Sequence, residues 1–400
     1  MRDNKIKIAH IVEGFVSGLA TYMCNVLPGL VKKGFDVSLI CSIGRACPDT
    51  QSKLKKLSLA GVKIYLIPMH RNINPIKDFC SFIIILYHMI KNRFDIVHTH
   101  CSKAGAIGRV AAFFAGVDVR IHSSHCLAFL RCGNFITKKF FYYIEKTLAP
   151  ITTKYVAVSI AEIDIAVEMG IYPSQKCVLI NNGVTCPANL NVDANRRNQI
   201  KTQLGISEDA FVITSACRLV NYKGLFIFIK AAELVKSNCI FLVAGDGDLK
   251  YEMQQYIAQK YLNKKIRLLG HFSDMAAIYD ISDITVLCSS AEAQPYFLLE
   301  AMSRKRPVIA TDVMGNRELL KNGRGILIRP NSAELALQID RIIANSDIQK
   351  TLTENAYEYI KDNHKLDEQI AKLTENYRTL LFSMERTGQI EIFADTKYRL

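Results

Sequence analysis

The sequence predicts an α/β protein of two Rossmann-like domains, whose parallel sheets are covered by helices and face each other across a cleft. Three observations support this prediction. Short apolar segments alternate with helical patterns in the first half of the chain, as in parallel sheets buried on both faces. After a polar stretch at 186–197 the same alternation starts again. The charge changes there too: residues 1–190 hold 23 Lys and Arg against 11 Asp and Glu, and the rest of the chain is nearly neutral.

We therefore expect a first domain over 1–190, a second over 191–365, and a C-terminal helix and tail over 366–400 that packs back on the first domain. The strands predicted in the first domain are KIKIAHIV, DVSLICS, KIYLIPM, DIVHTH, VRIHSSH and YVAVS. Those predicted in the second domain are AFVITSACRL, IFLVAGDGD, KIRLLGH, ITVLCSS, PVIAT and GILI. Open parallel sheets bind ligands beyond the carboxyl ends of their strands, so we expect the active site in the cleft between the domains.

No segment is expected to cross a membrane. The longest apolar run, 79–90, is shorter than a bilayer requires and contains Ser81 and His88, so we predict a helix buried against a sheet. The N-terminus has no apolar signal sequence. The twelve cysteines are scattered without a C-x-x-C pair, which favours reduced thiols over disulfides or zinc ligands. Together these features predict a cytoplasmic protein.

The basic first half predicts an anionic partner, such as lipid head groups or a polyphosphate acceptor, unless the charges serve solubility alone. The segment FITKKFFYYIEK at 135–146 places aromatic residues beside Lys138 and Lys139, which suits a membrane interface. A helix with a buried aromatic face explains this segment equally well. No nucleic-acid-binding motif is present. We therefore expect peripheral attachment to the inner face of the plasma membrane and no nucleic-acid partner.

The strongest candidate site lies in the second half, in SSAEAQPYFLLEAMSRKRPVIAT. Glu292 follows a predicted strand, and Glu300 comes eight positions later, after a turn at Pro295 that leads into a helix. A helix N-terminus offers free amides and a positive dipole end to a diphosphate. Glu300 would then accept hydrogen bonds from ribose hydroxyls, and Glu292 from sugar hydroxyls. Alternatively, the two residues are a helix cap and a solvated helix residue.

Two cations accompany these carboxylates. Arg218 and Lys223 follow the first strand of the second domain, where they would neutralise a pyrophosphate and stabilise it as a leaving group, unless they form an ordinary surface pair. Gly245 and Gly247 follow the next strand, where bare backbone permits close approach of a nucleotide. They do not complete a G-x-G-x-x-G dinucleotide fingerprint.

Over about residues 5–385 the chain resembles the retaining GT-B glycosyltransferases of family 4, of the kind that build capsular and exopolysaccharides. The motifs that match are E-x7-E, R-x4-K-G, AGDGDLK and TDVMGNREL. The resemblance implies that Glu300 binds the ribose, that Glu292 binds the donor sugar, and that Arg218 and Lys223 bind the diphosphate. It also implies that backbone amides near Phe297 and Leu298 cap the phosphate.

The first half matches the family as well. EGFVSGLATYM resembles the Gly-rich loop after the first strand, with Gly18 nearest the donor phosphate and Ser17 in place of the usual second glycine. HTHCSKAGAIGRVAA, which holds His98 and His100, resembles the acceptor-side stretch. IHSSHCLAF implies that His125 lies beside the anomeric carbon, where it holds the sugar or takes part in proton transfer. A purely structural role for His125 is the alternative.

The resemblance implies a hexosyltransferase that needs no metal or other cofactor. Its donor would be a nucleotide diphosphate sugar, most commonly of uridine, and its acceptor a lipid-linked or polysaccharide chain. No D-x-D motif stands where a catalytic cation would be expected. Cys126, Ala293 and Gln294 depart from the family pattern, which leaves the sugar open. A nucleotide-sugar 2-epimerase of the same fold and a non-catalytic sugar-nucleotide-binding subunit are the alternatives.

Overall fold

The computed structural model describes residues 5–190 and 193–396, with side chains as far as 383. The chain forms two compact units, of which the first comprises Met1–Asn181 and Leu366–Leu400 and the second Asn182–Lys365. The predicted domain limit at 191 and the end of the tail at 397–400 lie outside the described residues. The cleft predicted between the domains stays a prediction.

The first unit contains a seven-stranded parallel sheet of order β3-β2-β1-β4-β5-β6-β7. Its strands are β1 (Lys7–Val12), β2 (Asp36–Cys41), β3 (Lys63–Leu66), β4 (Ile96–His100), β5 (Val119–Ser123), β6 (Lys154–Ala157) and β7 (Cys177–Leu179). The helices that alternate with them are α1 (Ser17–Lys32), α2 (Thr50–Leu59), α3 (Pro75–Asn92), α4 (Ser102–Phe114), α5 (Phe135–Leu148) and α6 (Ile160–Glu168). The strand order reverses between β1 and β4, which is the position where such sheets bind ligands.

The second unit repeats this plan with six parallel strands in the order β10-β9-β8-β11-β12-β13. Its strands are β8 (Phe211–Ala216), β9 (Cys239–Ala244), β10 (Ile266–Gly270), β11 (Ile284–Leu287), β12 (Val308–Thr311) and β13 (Ile326–Ile328). Its helices are α7 (Ala194–Gln203), α8 (Leu225–Leu234), α9 (Lys250–Gln259), α10 (Met275–Ile281), α11 (Tyr296–Ser303), α12 (Met314–Leu320), α13 (Ser332–Ile343) and α14 (Ser346–Asn363). The order reverses between β8 and β11. The prediction of two parallel α/β sheets is confirmed.

The last helix, α15 (Leu366–Thr396), belongs to the first unit and packs on α1. The two helices approach closely at Gly29, where a Cβ atom would lie 2.3 Å from Cδ1 of Ile370. Tyr377 of α15 is fully buried, and its hydroxyl lies 2.6 Å from Nδ1 of His98 on β4. A side chain of the last helix thus reaches the strand ends of the first sheet.

The helix predicted at 79–90 forms as part of α3 and packs against the first sheet. Only one face of α3 is buried, through Ser81, Ile85 and Met89. Its opposite face leaves apolar side chains in solvent, with Ile76 78% and Phe79 62% exposed. The apolar run continues around the whole helix, and a helix that rests on a sheet buries only a stripe of about 100°. Among the described residues, no helix is both long and apolar enough to span a bilayer.

The segment at 135–146 forms α5, whose two sides differ, and the predicted buried aromatic face is present. Phe141 and Tyr142 pack against the core of the first unit. Phe135 and Ile136 are 68% and 77% exposed, and the ammonium of Lys139 lies 4.5 Å from the ring centroid of Phe135. The helix therefore has a buried aromatic side and an exposed side of apolar and basic residues.

A buried ion pair between Arg109 of α4 and Glu145 of α5 joins the two helices. The guanidinium donates to both carboxylate oxygens, at 2.8 and 3.0 Å, and also to Tyr172 Oη at 2.7 Å and Thr152 Oγ1 at 3.1 Å. Burial acts to raise the pKa of Glu145, but Arg109 outweighs it and lowers this pKa to about 2. The pair is therefore fully charged inside the first unit, with its hydrogen bonds largely satisfied.

We predict that Arg109→Met lowers the free energy of unfolding by about 3–5 kcal/mol, because it leaves the Glu145 carboxylate buried without its counter-charge. Denaturant titration of the full chain measures this change. Lys63→Met is the matched control, since its 2.7 Å pair with Asp36 is exposed and is expected to contribute at most about 1 kcal/mol. Equal losses in the two variants would contradict the prediction.

Candidate active site

Arg218 and Lys223 lie just beyond the carboxyl end of β8, and both cations lie over the ring of one tyrosine. The Arg218 guanidinium donates to the Tyr222 hydroxyl at 2.6 Å, and its Cζ lies 5.9 Å from the ring centroid. Nζ of Lys223 lies 5.3 Å from the same centroid. Sequence analysis missed Tyr222, although it stands inside the R-x4-K-G spacing. Its ring holds the two cations at one strand end, since cations are attracted to the face of an aromatic ring.

Glu292 follows β11, the strand next to β8, and its carboxylate forms an ion pair with the Lys223 ammonium. The two side chains are 11% and 14% exposed. Burial acts to lower the pKa of Lys223, but Glu292, with Tyr222 and Cys217, raises it above its usual value. Lys223 is therefore a fixed positive charge at physiological pH. The structure brings together three of the predicted residues, Arg218, Lys223 and Glu292.

The loop after Glu292 is held by backbone contacts. The Gly315 amide donates to the Glu292 carbonyl at 3.1 Å, and a Cβ atom at Gly315 would lie 2.0 Å from the Ala293 carbonyl oxygen. Gln294 is 5% exposed and binds Asn182 twice, through its side-chain Oε1 and its main-chain oxygen. Ala293 and Gln294, which depart from the family pattern, thus face the protein interior and shape the loop.

Glu300 lies on α11, where its carboxylate accepts a hydrogen bond of 2.7 Å from the Tyr279 hydroxyl. Burial and the charge of Glu300 raise the pKa of Tyr279 well above its usual value, so this phenol stays protonated as the donor. The Leu298 amide already donates to the Pro295 carbonyl at 3.1 Å, within the first turn of α11. The implied role of the amides near Phe297 and Leu298 stays a prediction.

Glycine is required after two of the strands because neighbouring backbone atoms leave no room for a side chain. Gly245 has φ +143°, and a Cβ atom there would lie 1.9 Å from the Cys217 carbonyl oxygen. At Gly224, with φ +63°, it would lie 2.1 Å from that of Cys288. These contacts explain both glycines without a bound nucleotide, so the predicted nucleotide contact of Gly245 stays a prediction.

The two remaining candidates belong to the first unit. Gly18 is exposed in the first turn of α1, next to Ser17, which has φ +48°. His125 lies in the loop after β5 with φ +50°, and Cys126 follows with φ +90°. Such angles are uncommon for residues with a side chain and are frequent at functional sites. Burial lowers the pKa of His125 to about 4, so its imidazole is neutral at pH 7.

His98 and His100 are fully buried on β4. Neither side chain is accessible to an acceptor, so the role that the resemblance suggests for this stretch does not apply to the two imidazoles directly. Sequence analysis also missed His10 on β1, which is equally buried and lies beside His98 in the sheet. A lone histidine in an apolar strand gives no signal of its own.

Two parallel α/β units, the second with paired cations and carboxylates at its strand ends, define a glycosyltransferase of the GT-B fold. Comparison with known families agrees. The model of glycosyl transferases group 1 matches residues 196–359, and that of Glycosyltransferase Family 4 matches residues 16–186. The first match lies within the second unit, and the second match covers the first unit from residue 16 to 181 and extends to 186. The chain therefore belongs to the GT-B glycosyltransferases of family 4.

Individual relatives extend over nearly the whole chain. The UDP-Gal:α-D-GlcNAc-diphosphoundecaprenol α-1,3-galactosyltransferase of Escherichia coli is 29% identical, over 94% of this chain and 97% of its own. The capsular polysaccharide biosynthesis glycosyltransferase CapM of Staphylococcus aureus is 25% identical, over 95% and 98%. Among solved structures, Anabaena HepE in complex with UDP and glucose is similar in fold, with a TM-score of 0.78, 18% identity, and coverage of 94% of this chain and 100% of that one.

We predict that Gly315→Ala destabilises the second unit by about 1–3 kcal/mol, because the new methyl group forces the Glu292 loop away from α12. Thermal unfolding of the full chain measures the loss. In the control Gly133→Ala the methyl group meets no atom within 4 Å, so the midpoint should not move. An unchanged midpoint in Gly315→Ala would show that the loop has room to adjust.

Proposed function

We propose that this chain transfers a sugar from a UDP-sugar to a lipid-linked saccharide, with retention at the anomeric carbon, in cell-surface polysaccharide synthesis. The observation that supports the donor part is the cluster of Arg218, Tyr222, Lys223 and Glu292 at the switch point of the second unit. UDP-galactose is the donor named for the E. coli relative, and UDP is bound in HepE.

The cations account for departure of the diphosphate. In the proposed step, the bond from the anomeric carbon to the β-phosphate oxygen breaks and a bond to the acceptor hydroxyl oxygen forms, while the hydroxyl proton passes to the departing diphosphate. Negative charge grows on the leaving group as this happens. Arg218 and Lys223, which are preorganised by Tyr222 and Glu292, stabilise that charge, and the N-terminus of α11 adds its dipole.

The carboxylates account for recognition. Glu300, fixed by the Tyr279 hydroxyl, accepts hydrogen bonds from the ribose. Glu292 accepts them from sugar hydroxyls and keeps Lys223 charged. We propose that His125 in the first unit contacts a hydroxyl of the sugar. Because two fixed cations already stabilise the diphosphate, we also propose that no metal ion is needed.

The acceptor part rests on the surface of the first unit. Exposed apolar side chains follow one face of α3, continue across Phe113 and Phe114 of α4, and reach the exposed side of α5. The members of this surface, here named the apolar face, are Ile76, Phe79, Ile83, Tyr87, Ile90, Phe113, Phe114, Phe135, Ile136, Phe140 and Tyr143. α4 packs against both α3 and α5, so these side chains lie on three neighbouring helices. Between α4 and α5 it contains a groove of about 530 Å³, lined by Phe140, Tyr143 and Leu148 among others.

Lysines border the apolar face, which supports an anionic bilayer as its partner. Lys77 and Lys91 are exposed on α3, and Lys138, Lys139 and Lys146 on α5. Apolar side chains flanked by lysines are typical of helices that lie in the interface of an anionic membrane. The E. coli relative takes an acceptor linked to diphosphoundecaprenol. We propose that this face holds the chain on the inner leaflet, where such an acceptor would be found.

We predict that Lys223→Gln lowers kcat for transfer by about 100-fold, because a charge that stabilises the leaving group is lost. The assay combines a panel of UDP-sugars with an undecaprenyl-diphosphate saccharide, and mass spectrometry of the lipid product detects transfer. Lys250→Gln is the matched control, since Lys250 forms an exposed pair with Asp246 in the same unit.

The same assay separates the alternatives. Activity should persist in EDTA, and NMR of the product should give the anomeric configuration of the donor. Isomerisation of the UDP-sugar without an acceptor would instead indicate an epimerase. Donor binding without turnover would indicate a non-catalytic subunit. Full activity of Lys223→Gln would contradict the role proposed for this lysine.

For the membrane part, we predict that the double variant Phe79→Ser/Phe135→Ser binds anionic phosphatidylglycerol vesicles at least about tenfold more weakly than the unsubstituted chain, because two large apolar side chains no longer enter the bilayer. Co-sedimentation with vesicles measures binding. Leu234→Ser/Leu337→Ser is the matched control, since these leucines are 50% and 64% exposed on the second unit. Equal binding by both variants would contradict the proposal.

A further inference from the structure

Four imidazoles collect at the carboxyl end of the first sheet. His10 of β1 pairs with His98 of β4 in parallel register, and His100 lies two residues further along β4, on the same face. His125 follows β5, the neighbouring strand. The rings are stacked or tilted against one another, with the centroids of His98 and His100 4.3 Å apart and those of His100 and His125 5.2 Å apart.

Three of these imidazoles form a hydrogen-bonded row. Nδ1 of His10 lies 3.0 Å from Nε2 of His100, and Nδ1 of His100 lies 2.9 Å from Nε2 of His125. His98 stands outside the row, because its two nitrogens contact the Tyr377 hydroxyl at 2.6 Å and the Ser123 hydroxyl at 2.9 Å.

The row couples the tautomers of its members. Burial lowers the pKa of His10 to about 3 and that of His125 to about 4, and it lowers the pKa of His100 well below its usual value. All three rings are therefore neutral at pH 7, and each has a single N–H. Each N···N contact needs one donor and one acceptor. The nitrogen that carries the proton in one ring therefore determines which nitrogen carries it in the other two.

Two proton arrangements satisfy the row, and they differ at its ends. In the first, His125 donates through Nε2 and His10 carries its proton on Nε2. In the second, His10 donates through Nδ1, His100 donates through Nδ1, and His125 carries its proton on its outer nitrogen, Nδ1. Among the described residues, Nε2 of His10 is buried and has no hydrogen-bond partner. A buried N–H without an acceptor is rarer in proteins than a buried acceptor without a donor, so the second arrangement is favoured.

We propose that His10 and His100 are positioning residues that hold His125 as an Nδ1–H hydrogen-bond donor toward a substrate oxygen. This inference rests on the proposed function for the identity of that oxygen. The backbone on both sides of His125 is held independently by Glu162 of α6. Its carboxylate accepts from the Ser124 hydroxyl, from the Cys126 amide at 2.9 Å and from the Val158 amide at 3.2 Å. Ring and backbone of His125 are thus both fixed.

A metal site is the competing interpretation. Ligand atoms of His10, His98 and His100 lie within 4.8 Å of one another, a spacing at which they could share a divalent cation. A cation would have to break the contact of His98 to Tyr377 or to Ser123, and one of the two contacts of His100 in the row. We therefore favour the row, and the experiment includes zinc.

The test is ¹⁵N NMR of the full chain labelled at histidine, which distinguishes protonation at Nδ1 from protonation at Nε2. We expect His125 to be protonated at Nδ1. In His10→Asp the row ends in an ionised carboxylate, which can only accept, so His100 must donate to it through Nε2. The His125 proton should then shift toward Nε2 and kcat should fall about tenfold, as for the loss of one hydrogen bond. His10→Asn should keep both readouts, because its side-chain amide can donate to His100 from the position of Nδ1.

His98→Gln is the matched control, because it also perturbs a buried histidine of this cluster but leaves the row intact, so the His125 tautomer should not change. An unaltered tautomer in His10→Asp, or protonation of His125 at Nε2 in the unsubstituted chain, would overturn the proposal. So would stoichiometric Zn²⁺ that shifts the His10, His98 and His100 signals together. If no UDP-sugar is transferred, the proposed function fails while the tautomer measurement still decides the row. Full transfer by His125→Ala would overturn the substrate contact specifically.

Discussion

The ion pair between Lys223 and Glu292 depends on parallel pairing of β8 with β11, and most of the chemistry of the second unit depends on that pair. Parallel neighbours end at the same edge of a sheet, so residues that are 69 positions apart in the chain meet there. At this edge the backbone is packed so tightly that Gly224 and Gly245 have no room for a Cβ atom. Mobile loops would not keep two unlike charges in a nearly dry contact. The rigid strand ends do, and the cation is in place before any substrate arrives.

In the first sheet, side chains also meet at the carboxyl ends of parallel strands, but these side chains are neutral. Its strand ends gather imidazoles, and burial keeps them uncharged. Arg109 and Glu145 are buried in the same unit but remain charged. That pair stays charged because each hydrogen-bonding atom has a partner and the charges compensate each other. No carboxylate in the described residues forms a hydrogen bond with an imidazole of the His10, His100 and His125 row. Burial therefore lowers the pKa values of these imidazoles and keeps them neutral. One unit therefore holds both a charged and a neutral buried polar network.

The sequence was sufficient for every strand except the short β7 and for residues whose positions follow from local spacing. Buried parallel strands are continuous apolar runs, and the pairs Arg218 with Lys223 and Glu292 with Glu300 stand at fixed offsets around strand ends. It was insufficient wherever a partner lies far away in the chain. The bonds of Gln294 to Asn182 and of His98 to Tyr377 join residues 112 and 279 positions apart, and no local pattern places these residues together. The buried face of α3 could not be predicted for a different reason: an apolar run without periodicity does not say which side of a helix is buried.

Nε2 of His10 is buried and has no hydrogen-bond partner among the described residues, and a buried polar atom of this kind calls for an explanation. A leucine at this position would remove the orphan atom and would suit the apolar interior of β1. It would also leave His100 without a partner, and the orphan nitrogen would move one step closer to His125. The row therefore places its unsatisfied atom at the end farthest from the loop after β5. One bare nitrogen in the core costs free energy, and in exchange the row gives His125 a defined donor, Nδ1–H, at the opposite end, where we propose that the substrate oxygen lies.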